Sequence, residues 1–350
     1  MNKLSSQLPV VERKSKRKKL IFLSIFSLLL LVVVGCFGYQ FYKHKDLVDP
    51  QKLSLSNKRT AVVNIQKDPF IVLLMGTDGR KPKSHNWRPD VLMLAAVNPK
   101  TKSIKLISIP RDLYVEIANT EGAKDKINAA AAYAYNKKID PIQNVRETVE
   151  NLLNVPIDYY AKVNFQGFME IVDVLGGVNV NVEFPFHQRA IGGEMVYFEK
   201  GPAHLNGSQA LAYVRMRHQD PNGDAGRNKR QRAVIQELID QLVSVNTVTR
   251  FSSLVTTVAD NFQHSFSFSE IPTLAKIYKE SKGNIQEVTL TTTSGRHYLG
   301  GVNAYIEKLS EQERQRISTL IQKQIQYTPK APLSPSTETT NHEDDIKNQR

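Results

Sequence analysis

Residues 213–232 contain six cationic side chains and only two aspartates, a density that indicates an anion-binding site. The guanidinium of arginine presents a planar fork of donors that fits the oxygens of a phosphate group at two points. Arg215 and Arg217 alternate with Val214 and Met216, which predicts an extended segment with both arginines on one face. The six cations are Arg215, Arg217, Arg227, Lys229, Arg230 and Arg232.

A helix is predicted to follow, with Asp224 near its start as the N-cap. Arg227 then lies in the first turn, and Gln231 lies four residues on along the same face. A helix N-terminus attracts anions, so Arg227 and the two arginines of the extended segment are predicted to converge on one ligand. Three arginines suit a pyrophosphate better than a single phosphate. A solvated basic loop is the alternative, and Arg232, about 100° around the helix from Gln231, is predicted to be solvated.

Two further cations follow predicted strand ends or open a predicted helix. Arg111 and Asp112 come directly after Pro110, which ends a strand because it cannot donate to the ladder. Lys126 stands at the start of the apolar segment KINAAAAYAY. A structural ion pair at Arg111 and Asp112, and an exposed lysine at 126, are the alternatives to a role in anion binding.

Two aspartates are candidates for a metal site. Asp78 follows one predicted strand in a glycine-containing turn, and Asp90 begins the next strand, just after Arg88. Carboxylates at neighbouring strand ends can hold a divalent cation, and Mg²⁺ commonly takes one or two of them together with substrate phosphates and water. Turn chemistry at Asp78 and strand capping at Asp90 are the alternatives.

Several other chemistries find no motif in the chain. The sequence has no G-x-x-x-x-G-K-[ST] phosphate loop and no G-x-S-x-G nucleophile elbow. Its eight histidines show no H-E-x-x-H or paired zinc spacing. A single cysteine, Cys36, excludes a disulfide within one chain.

The elements that must position these residues alternate between strand and helix, which predicts an α/β or α+β layered domain. A hairpin-like region is indicated around Gly192-Gly193 and Gly201-Pro202. Strands are predicted over 69–76, 90–98, 103–110, 159–165, 178–184 and 285–291, and helices over 126–136, 141–154, 168–175, 206–214, 225–245, 249–262, 268–281 and 309–326.

Residues 20–42 contain no charged side chain and are long enough to span a bilayer as one N-terminal transmembrane helix. Residues 1–19 hold seven Lys or Arg and one acid, so they are predicted to stay in the cytoplasm while the rest of the chain lies outside. A cleaved signal peptide and lipoprotein processing at Cys36 are the alternatives. An outside location excludes nucleic acid as an ordinary partner, despite a net charge of +13.

The predicted organisation therefore has five parts: a basic cytoplasmic tail at 1–19, a transmembrane helix at 20–42, a stalk or edge strand at 43–68, an extracellular globular domain at 69–327, and a disordered tail at 328–350. The last part is rich in Pro, Ser, Thr and charged residues, a composition typical of disorder.

Five separated segments resemble the LytR-CpsA-Psr family in their order and spacing. They are LLMGTDGR, RPDVLMLAAVNPKT, LISIPRDLYVEI, KINAAAAYA and ALAYVRMRHQDPNGDAGRNKRQR. The resemblance is strong over about residues 70–245 and looser beyond them. It implies a single α/β domain with a central mixed sheet flanked by helices and an apolar tunnel for a lipid.

The same resemblance implies a phosphotransferase that moves a glycopolymer, such as wall teichoic acid or capsule, from a polyprenyl-diphosphate carrier to peptidoglycan in a Gram-positive type of envelope. Mg²⁺, or Mn²⁺ in its place, is the implied cofactor, held by Asp78 and Asp90, which with Arg111 form the implied catalytic set. A pyrophosphatase or phosphodiesterase, and a non-catalytic surface module that binds lipid phosphates, remain alternatives. The implied pyrophosphate-binding residues are Arg88, Arg111, Lys126, Arg215, Arg217, Arg227 and Gln231.

Overall fold

The computed structural model of the protein describes residues 53–78, 87–244, 257–258 and 260–330. In chain order its strands are β1 (Phe70–Thr77), β2 (Pro89–Asn98), β3 (Ser103–Ile109), β4 (Tyr114–Glu116), β5 (Lys124–Lys126), β6 (Tyr159–Asn164), β7 (Val178–Val182), β8 (Phe186–Arg189), β9 (Met195–Phe198), β10 (Gly201–Leu205), β11 (Phe262–His264), β12 (Ile285–Thr289), β13 (Thr292–Leu299) and β14 (Val302–Leu309). The helices are α1 (Ala130–Asn136), α2 (Pro141–Leu153), α3 (Phe165–Val174), α4 (Gly207–Arg215), α5 (Gly223–Ser244), α6 (Ile271–Ser281) and α7 (Glu311–Gln324).

Six strands form a mixed sheet in the order β11-β6-β1-β2-β3-β12. β1, β2 and β3 are antiparallel neighbours, whereas β6 runs parallel to β1 and β12 runs parallel to β3. Antiparallel neighbours need only short connections, and parallel neighbours need long crossovers, which here contain the helices. The other strands pair as β4 with β5, β7 with β10, β8 with β9 and β13 with β14.

Both faces of the sheet are buried, which explains the near-continuous apolar runs of its central strands. On one face Ile71 and Leu73 of β1 belong to a core shared with α1, α2 and α7. On the other face Phe70 and Val72 pack in a core with α6 and part of α5. A further apolar cluster joins α3, α4 and α5. The predicted α/β domain with a central mixed sheet flanked by helices is confirmed.

Side-chain caps fix where two helices begin. Asp140 accepts a hydrogen bond from the backbone N–H of Gln143, and Pro141 occupies the first turn of α2. Asn206 and Gln209 form a reciprocal capping box at the start of α4. Both helices therefore begin within one residue of their predicted starts.

The prediction of an extended segment over Arg215–Arg217 is wrong for Arg215, which is helical. α4 continues through Arg215, and the chain becomes extended only at Met216, with φ −59° and ψ 134°. Val214 and Met216 are both buried, so the alternation reflects the last helical turn and the residue after it. Residues 292–309 form the β13–β14 hairpin, where no strand was predicted.

The predicted cytoplasmic tail at 1–19 and transmembrane helix at 20–42 lie outside the described residues, as do 331–350 and most of the helix predicted over 249–262. Within the described residues, no helix combines the length and apolar character that crossing a membrane requires. Residues 53–68 form no regular strand, and Arg59 in this segment makes a 2.8 Å ion pair with the buried Asp158.

Candidate active site

A pocket of about 320 Å³ lies where β2 and β3, the loop between α4 and α5, and the β13–β14 hairpin meet. Its lining brings together five of the nine site residues predicted from the sequence: Asp90, Arg111, Arg217, Arg227 and Gln231. We call Arg111, Arg217 and Arg227 the arginine clamp. The pocket is therefore cationic on the side formed by the end of β3 and the start of α5.

Arg111 is fixed between two carboxylates. Pro110 ends β3, and the Leu113 N–H donates to the Pro110 carbonyl at 3.1 Å in the turn that follows. The Arg111 guanidinium donates to Asp90, and its Nε lies 3.5 Å from Asp112. Burial works to lower the pKa of Arg111, but the hydrogen bond and negative charge of Asp90, with Asp112, raise it on balance.

Lys126 acts on the pocket through Asp112. Its ammonium lies 2.6 Å from the Asp112 carboxylate, which is also beside Arg111. The backbone after Lys126 is joined to the same turn, because Asn128 N–H donates to the Arg111 carbonyl at 3.3 Å. Lys126 is therefore a neighbour of the arginine clamp, outside the pocket lining.

A buried arginine holds the corner between α4 and α5. Arg230 donates to the Tyr213 carbonyl at 3.2 Å, to the Met216 carbonyl, and to the Asp220 carboxylate. Gly226 lies against Asp220, so close that a Cβ there would stand 2.0 Å from its carboxylate. These contacts set the position of the chain between Arg217 and Arg227 in the pocket lining.

The other residues of the basic stretch have different surroundings. Gln231 donates to the Val214 carbonyl at 3.4 Å, which ties α5 to the last turn of α4. Arg215 is exposed, and its guanidinium lies 5.2 Å from the ring centroid of Phe165, within range of a cation–π contact. Arg215 does not belong to the pocket lining.

The prediction that Arg232 is solvated is wrong. Its side chain is buried, with the residue 5% exposed, and donates to Ser108 at 3.1 Å. It also makes a 2.7 Å ion pair with Glu287 on β12. α5 packs over the sheet at this point, so Arg232 links helix and sheet and has no exposed face.

Asp78 and Asp90 lie at the paired ends of β1 and β2. The register shifts between Gly76 and Thr77, so that Asp90 is an extra residue on β2, as in a β-bulge. Asp78 is exposed, whereas Asp90 is half-buried and neutralised by Arg111. Within the described ranges, no group of three or more His, Cys, Asp or Glu side chains could hold a metal ion. The donor set fits Mg²⁺ bound by two carboxylates and completed by substrate oxygens, and does not fit an all-protein cage.

Four predicted site residues lie outside the lining of this pocket: Asp78, Arg88, Lys126 and Arg215. The pocket also contains polar residues that the sequence did not single out, including Asn222, Asn228 and four side chains of the β13–β14 hairpin. Asn222 and Asn228 lie on either side of the predicted helix start, and this position is a local signal that the sequence contains. The hairpin side chains had no such signal, because only the tertiary fold brings them to the arginine clamp.

The chain matches known proteins over most of its length. The family model described as the LytR_cpsA_psr family matches residues 38–323. The polyisoprenyl-teichoic acid–peptidoglycan teichoic acid transferase TagV of Bacillus subtilis is 37% identical over 313 residues, which cover 87% of this chain and 78% of that protein. The transferase TagU of Enterococcus faecalis, with the same descriptive name, is 34% identical over 316 residues, or 89% of this chain and 99% of that protein.

Solved structures share the fold. The crystal structure of B. subtilis TagV superposes with a TM-score of 0.63 at 35% identity, covering 75% of this chain and 99% of that one. A structure described as TagT bound to LI-WTA superposes with a TM-score of 0.62 at 30% identity, covering 80% of this chain and 99% of that one.

Proposed function

This chain belongs to the LytR-CpsA-Psr family, and on that premise we propose that it transfers a glycopolymer from a polyisoprenyl-diphosphate carrier to peptidoglycan during cell wall assembly. The names of its relatives support a teichoic acid as the polymer and peptidoglycan as the acceptor. The observation that carries the proposal is the convergence of Asp90, Arg111, Arg217, Arg227 and Gln231 on one pocket.

The arginine clamp suits a diphosphate. Three guanidinium groups offer paired donors to the oxygens of two linked phosphates, and Gln231 adds a neutral amide donor. Arg111 is held between Asp90 and Asp112 and lines the pocket. Arg88 and Arg215, both exposed, and Lys126, acting through Asp112, stay predicted contacts of the diphosphate and its glycan.

The reaction requires positioning and charge stabilisation more than covalent chemistry. An acceptor sugar hydroxyl, the muramic acid C6 hydroxyl by family resemblance, attacks the sugar-linked phosphorus. The bond from that phosphorus to the bridging oxygen breaks, and polyprenyl phosphate leaves with the electron pair. The arginine clamp holds the phosphorus in line and neutralises the charge that grows on its oxygens.

Asp78 and Asp90 are the residues that would hold Mg²⁺, or Mn²⁺, next to the diphosphate. The bound ion would supply Lewis-acid polarisation of the phosphate oxygens. Asp90 would serve two neighbours, because its carboxylate also orients Arg111. That double role supports placing the metal site at the edge of the arginine clamp.

Apolar side chains, among them Met93, Ile109 and Leu290, also line the pocket. They support contact with the first isoprene units of the donor, and an apolar tunnel for the rest of the lipid stays a prediction. The donor is a membrane lipid, so we propose a single-pass protein at the cell membrane with residues 1–19 in the cytoplasm and the catalytic domain outside.

A transfer assay tests the proposal. The full chain is incubated with a polyprenyl-diphosphate-linked glycan and Mg²⁺, with and without a peptidoglycan oligomer. We expect a phosphodiester-linked product that requires the oligomer. Release of the glycan phosphate at the same rate without the oligomer would instead identify a hydrolase. Donor binding without turnover in either reaction would identify a binding module.

A further inference from the structure

The β13–β14 hairpin forms a wall of the pocket with a composition unlike that of the arginine clamp. Ser294 stands opposite Glu307 in the hairpin register, so their side chains share one face. Thr292 and Tyr305, each two residues away, lie on the same face because side chains alternate along a strand. We call these four pocket-lining residues, Thr292, Ser294, Tyr305 and Glu307, the hairpin wall.

Glu307 is the acidic member of the hairpin wall and is only 7% exposed. One of its carboxylate oxygens accepts a hydrogen bond from the Thr292 hydroxyl at 2.7 Å, and the other lies 3.4 Å from the Tyr305 hydroxyl. The Tyr305 hydroxyl also lies 3.0 Å from that of Ser294. Among the described residues, no basic side chain lies within ion-pair range of Glu307.

The backbone of Glu307 is joined directly to the segment that carries Arg111. Its N–H donates to the Asp112 carbonyl at 2.9 Å, and Leu113 and Glu307 form an isolated parallel bridge. The position of Glu307 relative to Arg111 is therefore fixed by the short stretch Asp112–Leu113. A carboxylate thus lies in the same pocket as three guanidinium groups.

A buried carboxylate in this place disfavours an anionic donor, because like charges repel at short range. The hydroxyls of Thr292 and Tyr305 already donate to Glu307, so they leave few donors for a phosphate. Both groups suit a neutral polyol, whose hydroxyls donate to a carboxylate and exchange hydrogen bonds with Ser, Thr and Tyr. The hairpin wall therefore fits the sugar acceptor better than the donor.

We propose that the hairpin wall binds the acceptor sugar and that Glu307 is the general base of the transfer, an inference that rests on the proposed function. As the acceptor oxygen forms its bond to phosphorus, its proton passes to a Glu307 carboxylate oxygen. The bond to the bridging oxygen breaks, and polyprenyl phosphate departs with the electron pair. The proton then passes from Glu307 to solvent or to the departing phosphate.

The two acids of the proposed metal site suit this role less well. The Asp90 carboxylate already accepts a hydrogen bond from Arg111 and would also hold the metal ion. Asp78 is exposed and does not belong to the pocket lining. Glu307 lines the pocket itself, where the hydroxyl of a bound acceptor can come within hydrogen-bond reach of its carboxylate.

Glu307→Gln tests the assignment, since it keeps the shape and one acceptor oxygen but cannot take the proton. We expect transfer to fall by about 100-fold or more, with the donor Kd within twofold of wild type and an unchanged melting temperature. Added formate is expected to raise the transfer rate of Glu307→Ala by at least about tenfold, because formate can take the proton in place of the missing carboxylate. Glu199→Gln is the matched control and should match wild type, because Glu199 is exposed on the β9–β10 connection and does not line the pocket.

The outcomes separate the two proposals. If the wild-type chain binds donor but never transfers it, the proposed function fails. If wild type transfers and Glu307→Gln stays within threefold of it, the base assignment alone is overturned. A slow Glu307→Gln that has also lost donor binding or fold would show a structural role and overturn it too. Where Glu307→Ala does not fold, Glu307→Asp replaces it: a turnover equal to that of Glu307→Gln would count against the assignment.

Discussion

Arg111 is the residue with the most constraints at this site. Asp90 accepts from its guanidinium on one side and Asp112 lies beside its Nε, while Lys126 neutralises the other oxygen of Asp112. This alternation of charges fixes the plane of the fork before a ligand arrives. Preorganised donors of this kind stabilise a transition state because they need not reorient during the reaction.

Substitution of the arginine clamp is expected to be strongly non-additive, because its members act on the same phosphates. Arg111→Ala or Arg217→Ala should each lower the transfer rate by roughly 100-fold or more, and the double variant should be little slower than either. Arg111→Lys should recover little, since an ammonium lacks the bidentate fork. Initial rates of transfer to a peptidoglycan oligomer measure all four variants.

The matched control for these substitutions is Lys229→Ala. Lys229 lies on α5 between Arg227 and Arg230, but its ammonium is exposed and pairs with Glu183 at the surface. We expect it to be nearly silent. Arg232 is unsuitable as a control because it is buried. Near-normal rates in both Arg111→Ala and Arg217→Ala would mean that the stretch is only a basic surface.

Removal of either aspartate should weaken the binding of the metal ion. Asp78→Asn and Asp90→Asn are expected to raise the Mg²⁺ concentration for half-maximal transfer by about tenfold or more, since even outer-shell partners of a metal site contribute that much. Electron paramagnetic resonance of bound Mn²⁺ gives a second readout that does not depend on activity. Asp260→Asn, at an exposed position, is the control. Unchanged Mn²⁺ binding in both variants would contradict the proposal that Asp78 and Asp90 bind the metal ion.

Lys162 is expected to make stability depend on pH. Burial lowers its pKa to about 8, and its ammonium lies 4.2 Å from the ring centroid of Trp87. Between about pH 8 and the ordinary lysine value near 10.5, the folded chain binds fewer protons than the unfolded chain, so the free energy of unfolding rises with pH. Below pH 8 the buried charge is a penalty.

Lys162→Met should remove that penalty. At pH 7 we expect the free energy of unfolding to increase by at most about 3 kcal/mol, less the lost cation–π contact with Trp87. Between pH 8 and 10.5, the free energy of unfolding of the variant should rise less with pH than that of wild type, because the contribution of Lys162 is gone. Urea unfolding across this range compares the two proteins. Parallel stability curves would show that Lys162 is not desolvated.

At the scale of elements, the corner between α4 and α5 decides where Arg217 and Arg227 lie. Asp220 and Arg230 are both buried and form an ion pair. Arg230 also donates hydrogen bonds to two backbone carbonyls at the end of α4. Breaking a buried pair leaves an uncompensated charge, so this corner has one stable arrangement. Its rigidity supports the geometry of the arginine clamp.

Gly226→Ala should disturb this corner. The new methyl group would overlap the Asp220 carboxylate, and we expect a loss of about 1–3 kcal/mol together with weaker donor binding. Gly283→Ala is the control, because a Cβ there meets nothing within 4 Å. Urea unfolding and a donor-binding assay report the two effects. Equal stability of the two variants would show that the corner yields easily.

The elements differ in how well their sequences predict them. Helices with a capping side chain and an apolar face, such as α2 and α4, begin close to their predicted starts because the signal is local. The burial of Arg230 and Arg232 was not predictable, since spacing cannot reveal a carboxylate partner supplied by another element. The β13–β14 hairpin was missed for a related reason: its two sides are mixed in polarity, and it is exposed along much of one face.

At the scale of the whole molecule, the pocket depends on long-range pairing. Asp90 at the start of the central sheet and Glu307 near the end of the described chain line the same pocket. Three of the five motifs of the family resemblance therefore line one side of the site, and the C-terminal hairpin lines the other. The two sides correspond to the proposed donor and acceptor.

The proposed lipid donor would place the pocket near the bilayer and the proposed peptidoglycan acceptor would place it outside the cell, and the charge step across residues 20–42 predicts this topology. A phosphatase reporter fused after Arg350 should be active in the periplasm of a test cell, and the chain should sediment with membranes. The mass of the membrane-bound chain should include residues 1–35, whereas lipoprotein processing would cleave directly before Cys36. Replacing the six basic residues at 13–19 with glutamine and adding lysines after Tyr42 should reverse the orientation and silence the reporter. An intact domain released into the medium during growth would show that the segment is cleaved and that the pocket is not held at the membrane.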